Sequence, residues 1–191
     1  YIILSEENKK NSLLNSVCSN CDWVWVIDPL DGTKDFIQGT GNYAMHLALQ
    51  YRNVPCLGVV LIPERNELWM TNGKNTWCEK RDGSRVEKSI SPKECLKEMT
   101  LVTSKNHKNH ILEEIINKVC FKEVITMGSI GCKVASIIRG DSDIYISLSL
   151  PGKSSPKDWD FAAPEAILSA AGGSMTYIDN RALVYGKNDL Q

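Results

Sequence analysis

Asp28 and Asp31 flank a proline and run directly into Gly32 and Thr33, and this spacing carries the chain's clearest chemical signal. Pro29 has a fixed φ and Gly32 leaves the backbone unobstructed, so the two carboxylates can converge on one point. Converging carboxylates repel unless a cation sits between them. Oxygen-only ligation favours a hard ion, Mg²⁺ ahead of Ca²⁺ or Mn²⁺. An Asp-rich turn with solvated side chains explains the same residues equally well, because turns favour Asp, Pro and Gly. Glu6 and Glu7 form a second acidic site, which by itself reads as solvated loop charge. Asp158-Trp159-Asp160 forms a third, where Asp160 by itself reads as a helix N-cap worth about 1 kcal/mol.

The elements that must hold these groups follow from hydrophobic pattern. Trp23 to Ile27 is β-branched or aromatic throughout and predicts a buried strand that Pro29 stops just after Asp28. Tyr1 to Leu4 predicts another strand, starting without a cap or lead-in, as if the sequence began inside a fold. Residues 8 to 22 are polar and read as a flexible excursion. Lys34 to Gly41 suggests a turn or short helix. Asn42 to Tyr51 with Val54 to Ile62 forms one predicted hairpin, and Glu67 to Thr71 with Thr76 to Glu79 a second. The charged segment Lys80 to Lys97 divides the chain into an N-terminal sheet half, 1–90, and a C-terminal α/β half, 91–191, of one catalytic unit. Strands at Met99–Thr103, Lys122–Thr126 and Ile144–Leu148 alternate with helices at His107–Val119 and Ile130–Gly140. A last helix opens at Asp158, carries Pro164 near its first turn, and ends at Gly172-Gly173. Its face of Ala162, Ala163, Ala166, Ala170 and Ala171 predicts close packing against a neighbour.

Composition excludes several classes. The chain has 191 residues, 42% hydrophobic and 24% charged, with a net charge of -1, which suits a soluble globular protein and not a nucleic-acid or membrane surface. No apolar run reaches membrane-spanning length and no signal peptide opens the sequence, so the cytoplasm is the default compartment. Seven cysteines, an odd and scattered set, read as reduced thiols. Cys18 and Cys21 form a lone C-x-x-C pair, with zinc or redox roles the lesser readings.

Taken in order, Glu6-Glu7, then Asp28-Pro29-Leu30-Asp31-Gly32-Thr33, then Trp159-Asp160 followed by Ala162-Ala163 resembles the Mg²⁺-dependent, lithium-sensitive phosphatases of the inositol monophosphatase superfamily. Leu4-Ser5-Glu6-Glu7, Asp31 to Phe36 and Leu57 to Val60 look most like its 3'(2'),5'-bisphosphate nucleotidases. The resemblance implies an α/β, layered αβαβα sandwich holding two or three Mg²⁺. Glu6, Asp28, Asp31, Asp160 and the Leu30 carbonyl would be metal ligands, with Glu7 an outer helper. Glu6, Asp28 and Thr33 would be catalytic, Thr33 and Glu6 orienting and deprotonating the attacking water. Gly32 and Thr33 would offer N–H groups to the phosphate, which Leu30, Asp31 and Asp160 also border.

Two strand-to-helix junctions, Thr103 to His107 and Gly128 to Lys133, are natural anion sites. By the same resemblance Ser104, His107, Ser129 and Lys133 would bind a second phosphate and the nucleoside. The implied reaction is hydrolysis of 3'-phosphoadenosine 5'-phosphate to AMP and phosphate. Inositol or sugar phosphate hydrolysis is the alternative within the class, and an inactive nucleotide-sensing protein the alternative outside it. A homodimer is implied by the resemblance alone. So are a further acidic residue and flanking helices upstream of Tyr1, and a final strand after Gln191.

Overall fold

The computed structural model describes residues 1–8, 21–105, 110–148 and 155–186. Among these residues ten strands form two sheets. The larger takes seven strands in chain order: β1 (Ile2–Ser5), β2 (Trp23–Asp31), β3 (Ala44–Tyr51), β4 (Val54–Ile62), β5 (Glu67–Thr71), β6 (Thr76–Lys80) and β7 (Arg85–Lys88). β1 and β2 are parallel and the remainder is an antiparallel meander. The β3–β4 turn places Arg52 and Asn53 both at positive φ, the handedness that joins twisted strands tightly. The smaller sheet is parallel, in the order β10 (Ile144–Tyr145), β8 (Thr100–Ser104), β9 (Glu123–Met127).

Among the described residues four α-helices accompany them: α1 (Thr33–Ile37), α2 (His110–Val119), α3 (Ile130–Arg139) and α4 (Asp158–Ala170). α3 and α4 lie side by side between the sheets, α4 against β2 to β6 and α3 against β9 and β10 as well as β3 and β4. Sheet, helix pair and sheet are thus the three central layers of the expected αβαβα order. The core follows strand alternation. Val24, Val26, Ala48, Val60, Ile62 and Trp69 point inward, and Val134, Ala135, Ile138, Ala162, Ala163 and Ile167 meet them from the helices.

The alanine face of α4 packs as its composition predicts. A Cβ on Gly58 would lie 2.7 Å from the Ala163 carbonyl oxygen and 2.9 Å from Ala166 Cβ, so β4 and α4 touch at a position that admits no side chain. Thr76 Oγ1 donates to the Ile167 carbonyl at 2.6 Å and ties β6 to the same helix.

Several elements differ from expectation for identifiable reasons. β2 does not stop at Asp28 but continues to Asp31, with a register irregularity between those residues. β1 has already ended opposite Ile27 and pairing with β3 skips from Asp28 to Asp31, so neither neighbour requires the N–H that Pro29 lacks. The segment Lys80 to Lys97 contains β7, a short, charged edge strand whose exposure hides its pattern. Pro164 lies in the interior of α4 and not in its first turn. The N-cap is Lys157, with Asp160 within the first turn. β10 ends at Tyr145. Residues 9–20, with Cys18 and most of the predicted excursion, lie outside the described residues, as does His107. Among the described residues no helix is long and apolar enough to cross a membrane.

Candidate metal centre

The parallel pairing of β1 with β2 brings two acidic strand ends to the same edge. Ser5 is opposite Ile27, so Glu6, just past the end of β1, and Asp28 on β2 come next along the paired edge. Asp28 points inward and is 1% exposed. Its Oδ1 accepts from the Leu30 N–H at 3.0 Å, folding the Asp-Pro-Leu segment around the carboxylate. The bulge then turns Asp31 to the same side. α4 approaches with Asp160 in its first turn, where Asp160 Oδ2 accepts from the Lys157 N–H at 2.5 Å.

Asp28, Asp31 and Asp160 each contribute a carboxylate oxygen to a group whose members all lie within 4.8 Å of one another. Burial pushes the Asp28 carboxyl up from 3.8 to about 8; the charges of Asp31, Asp160 and Glu6 add to this, and the Leu30 N–H opposes it. Without a cation, Asp28 therefore holds a proton at neutral pH. An all-oxygen cluster on which burial and mutual repulsion keep a proton fits a hard divalent ion, which would displace that proton. Glu6 is half-buried in the 3₁₀ turn after β1 and outside the three-carboxylate group. Glu7 is exposed.

Gly32 sits at φ 89°, and a Cβ there would meet the Asn42 carbonyl at 2.9 Å, so only glycine opens α1 in this way. Thr33, the first residue of α1, is exposed and its Oγ1 donates to the Leu30 carbonyl at 3.2 Å. The proposed main-chain ligand and the proposed water-orienting hydroxyl are thus in contact.

α3 closes the opposite side. Ser129 caps it, accepting from the Cys132 N–H at 3.1 Å and donating to Asp31 Oδ2 at 2.6 Å. The Gly131 N–H donates to the same oxygen at 3.1 Å. Lys133 is 1% exposed. Its Nζ donates to Ser104 Oγ at 3.1 Å and to the Gly128 carbonyl at 2.9 Å, 5.0 Å from the centre of the Tyr145 ring. Burial lowers its pKa, while Asp31, Asp35 and Asp160 are among the charges that act the other way. Ser104 and Lys133 are therefore brought together, and Ser129 is joined to Asp31.

In comparisons with known proteins, residues 2–191 match the inositol monophosphatase family. The chain belongs to that family. It is 33% identical over 173 residues to a 3'(2'),5'-bisphosphate nucleotidase CysQ of Buchnera aphidicola, covering 91% of this chain and 61% of that protein. It is 29% identical to 3'(2'),5'-bisphosphate nucleotidase 1 of Mus musculus, covering 86% of this chain and 52% of that one. The crystal structure of CysQ from Bacteroides thetaiotaomicron matches all of this chain and 73% of the other, with a TM-score of 0.81 at 27% identity. The chain thus spans between about half and two thirds of the length of these two curated relatives.

Two buried polar residues beside this inositol monophosphatase-family centre escaped sequence reasoning. Asp35 accepts from Thr40 Oγ1 at 2.5 Å, and a Cβ on Gly128 would land on its Oδ2, so Asp35 shapes the approach to α3. His46 lies on β3, with Nε2 3.3 Å from Asp31 Oδ2 and Nδ1 3.4 Å from the Trp159 carbonyl. Its signal was present in strand alternation. Ala44, His46, Ala48 and Gln50 share the inward face of β3, where a histidine among alanines is out of place unless it has a polar neighbour.

Proposed function

We propose that this chain carries the catalytic centre of a Mg²⁺-dependent phosphomonoesterase that hydrolyses 3'-phosphoadenosine 5'-phosphate to AMP and phosphate. The observation that carries the reading is the convergence of Asp28, Asp31 and Asp160, with Asp28 held protonated up to about pH 8 in the absence of a cation. The nucleotidase names of the relatives support the choice of substrate.

In this reading Asp28, Asp31, Asp160, Glu6 and the Leu30 carbonyl hold two or three Mg²⁺. When bound, the ions neutralise phosphoryl oxygens and stabilise the leaving oxygen. The chain's own groups do the rest. Thr33 Oγ1, held by its bond to Leu30, orients the attacking water in line with the scissile P–O bond, and Glu6 takes its proton. The water oxygen bonds to phosphorus, the bond to the ribose 3' oxygen breaks, and that oxygen takes a proton from solvent water as it leaves, while the proton on Glu6 returns to solvent. The N–H groups of Gly32 and Thr33 bind the transferred phosphate. Lys133 supplies buried positive charge on the α3 side, fixed by Ser104 and Gly128. With Ser129 and His107 it favours a substrate bearing a second phosphate. A reducing, cytoplasmic setting suits the unpaired cysteines of the described residues.

The test measures phosphate release by the purified protein from 3'-phosphoadenosine 5'-phosphate and from inositol 1-phosphate in Mg²⁺. A higher kcat/KM on the nucleotide is expected. Preference for the inositol ester refutes the nucleotide assignment, and nucleotide binding without release of phosphate from either refutes the enzymatic one.

A further inference from the structure

We propose that His46 is a positioning residue of the metal centre, holding the Asp31 carboxylate and the first turn of α4 at the separation that cation binding requires. The inference rests on the metal-dependent reading above and goes beyond its ligand set.

His46 is fully buried and pairs directly across the sheet with Asp28. The register then moves from Asp28–His46 to Asp31–Ala44, so the bulge that delivers Asp31 forms against the histidine. One ring edge faces the Trp159 carbonyl at 3.4 Å, one residue before Asp160. The other brings Nε2 within 3.3 Å of Asp31 Oδ2, off the line of a hydrogen bond, and Nε2 has no hydrogen-bond partner among the described residues. A buried ring nitrogen without an aligned partner is costly. Packing places it there nonetheless, between β2 and α4, the elements that carry all three clustered carboxylates.

α3 completes the arrangement. A Cβ on Gly131 would come within 2.3 Å of His46 Nε2, so glycine at 131 is what admits the ring edge, while the Gly131 N–H and Ser129 Oγ both donate to Asp31 Oδ2. That oxygen is thereby committed to α3 and backed by the imidazole, which leaves Asp31 its other oxygen to offer a cation. Outer groups of this kind fix the orientation of a ligating side chain, and their loss weakens metal affinity about 10- to 100-fold.

The test compares the parent protein with His46→Phe, which keeps a planar ring and removes both nitrogens, and with His46→Gln, which keeps a donor. Free Mn²⁺ is titrated by electron paramagnetic resonance without substrate, at a temperature where circular dichroism shows each protein folded. Melting in EDTA is recorded in parallel, and half-saturating Mg²⁺ and substrate KM are taken separately. The expected result is a Kd for Mn²⁺ raised about tenfold in H46F, with a smaller loss in H46Q, a matching rise in half-saturating Mg²⁺ and little change in substrate KM. If H46F does not fold, His46→Leu is judged by the same criteria. A folded H46F or H46L that binds Mn²⁺ like the parent overturns the proposal. So does an equal loss in H46F and H46Q that tracks their melting temperatures, since that marks a packing role alone. A parent protein that binds no Mn²⁺ refutes the metal reading itself, which is a different result from a parent that binds and a variant that binds equally well.

Discussion

Replacing Asp28 with asparagine separates the metal reading from ordinary structural roles for the acidic cluster, because the two make opposite predictions without a cation. The carboxyl stands at about 8 against an ordinary 3.8, and each pH unit between those values is worth about 1.4 kcal/mol. The folded protein thus retains a proton that the unfolded chain has lost, and metal-free stability falls as pH rises from about 4 to about 8. Full ionisation would cost at most about 6 kcal/mol by that measure. Solvent reaching the cluster and relaxation of neighbouring side chains bring the expected loss to about 2–3 kcal/mol. The substituted amide keeps an oxygen for the Leu30 N–H and carries no charge.

In EDTA at pH 8, D28N should therefore melt about 5–10 °C above the parent, and at pH 5 the two should nearly coincide. Adding Mg²⁺ should raise the parent and leave D28N where it was, reversing their order, while D28N loses turnover. Thermal denaturation at pH 5 and pH 8, in EDTA and in Mg²⁺, reads all four conditions. A D28N protein no more stable than the parent in EDTA at pH 8, together with a parent whose stability is flat in pH, would refute the reasoning.

Two further predictions concern the neighbouring elements. Thr33→Val removes the hydroxyl that bonds the Leu30 carbonyl and should lower kcat about 100-fold with Mn²⁺ affinity nearly unchanged; a comparable fall in affinity would make Thr33 a structural group. Gly58→Ala places a Cβ 2.7 Å from the Ala163 carbonyl and should cost about 1–3 kcal/mol in urea denaturation, whereas a neutral effect would mean that α4 can move away from β4 freely.

Much of the site was legible because its signals are local. Asp28, Asp31, Gly32 and Thr33 are consecutive or nearly so, and strand ends concentrate such residues where the chain must turn. The small-residue face of α4 was legible in the same way, since a repeated alanine has few other uses on one side of a helix. Where local rules misled, a neighbour had the final say. Pro29 breaks a ladder only if some strand needs its N–H, and none does at that bulge. Asp160 fitted the composition of an N-cap, yet it sits in the first turn and reaches back to the Lys157 N–H. β7 was hidden because an edge strand faces water on both sides and has no alternation to show.

By itself the sequence determined the chemical groups of the candidate centre: three acidic segments in fixed order, a glycine-opened helix after the second, and strands that could present them. Only the tertiary structure decided how that chemistry is held. Ser129 reaches Asp31 across 98 residues and His46 reaches Trp159 across 113, and nothing in either local segment names its partner. Lys133 is buried because its Nζ is held by Ser104 and the Gly128 carbonyl beside the Tyr145 ring, partners that lie on other elements of the fold. Residue type and spacing set which groups are available, whereas burial and partnership arise from packing between distant elements. That packing raises the Asp28 pKa and brings Asp28, Asp31 and Asp160 within 4.8 Å of one another, an arrangement that fits a cation.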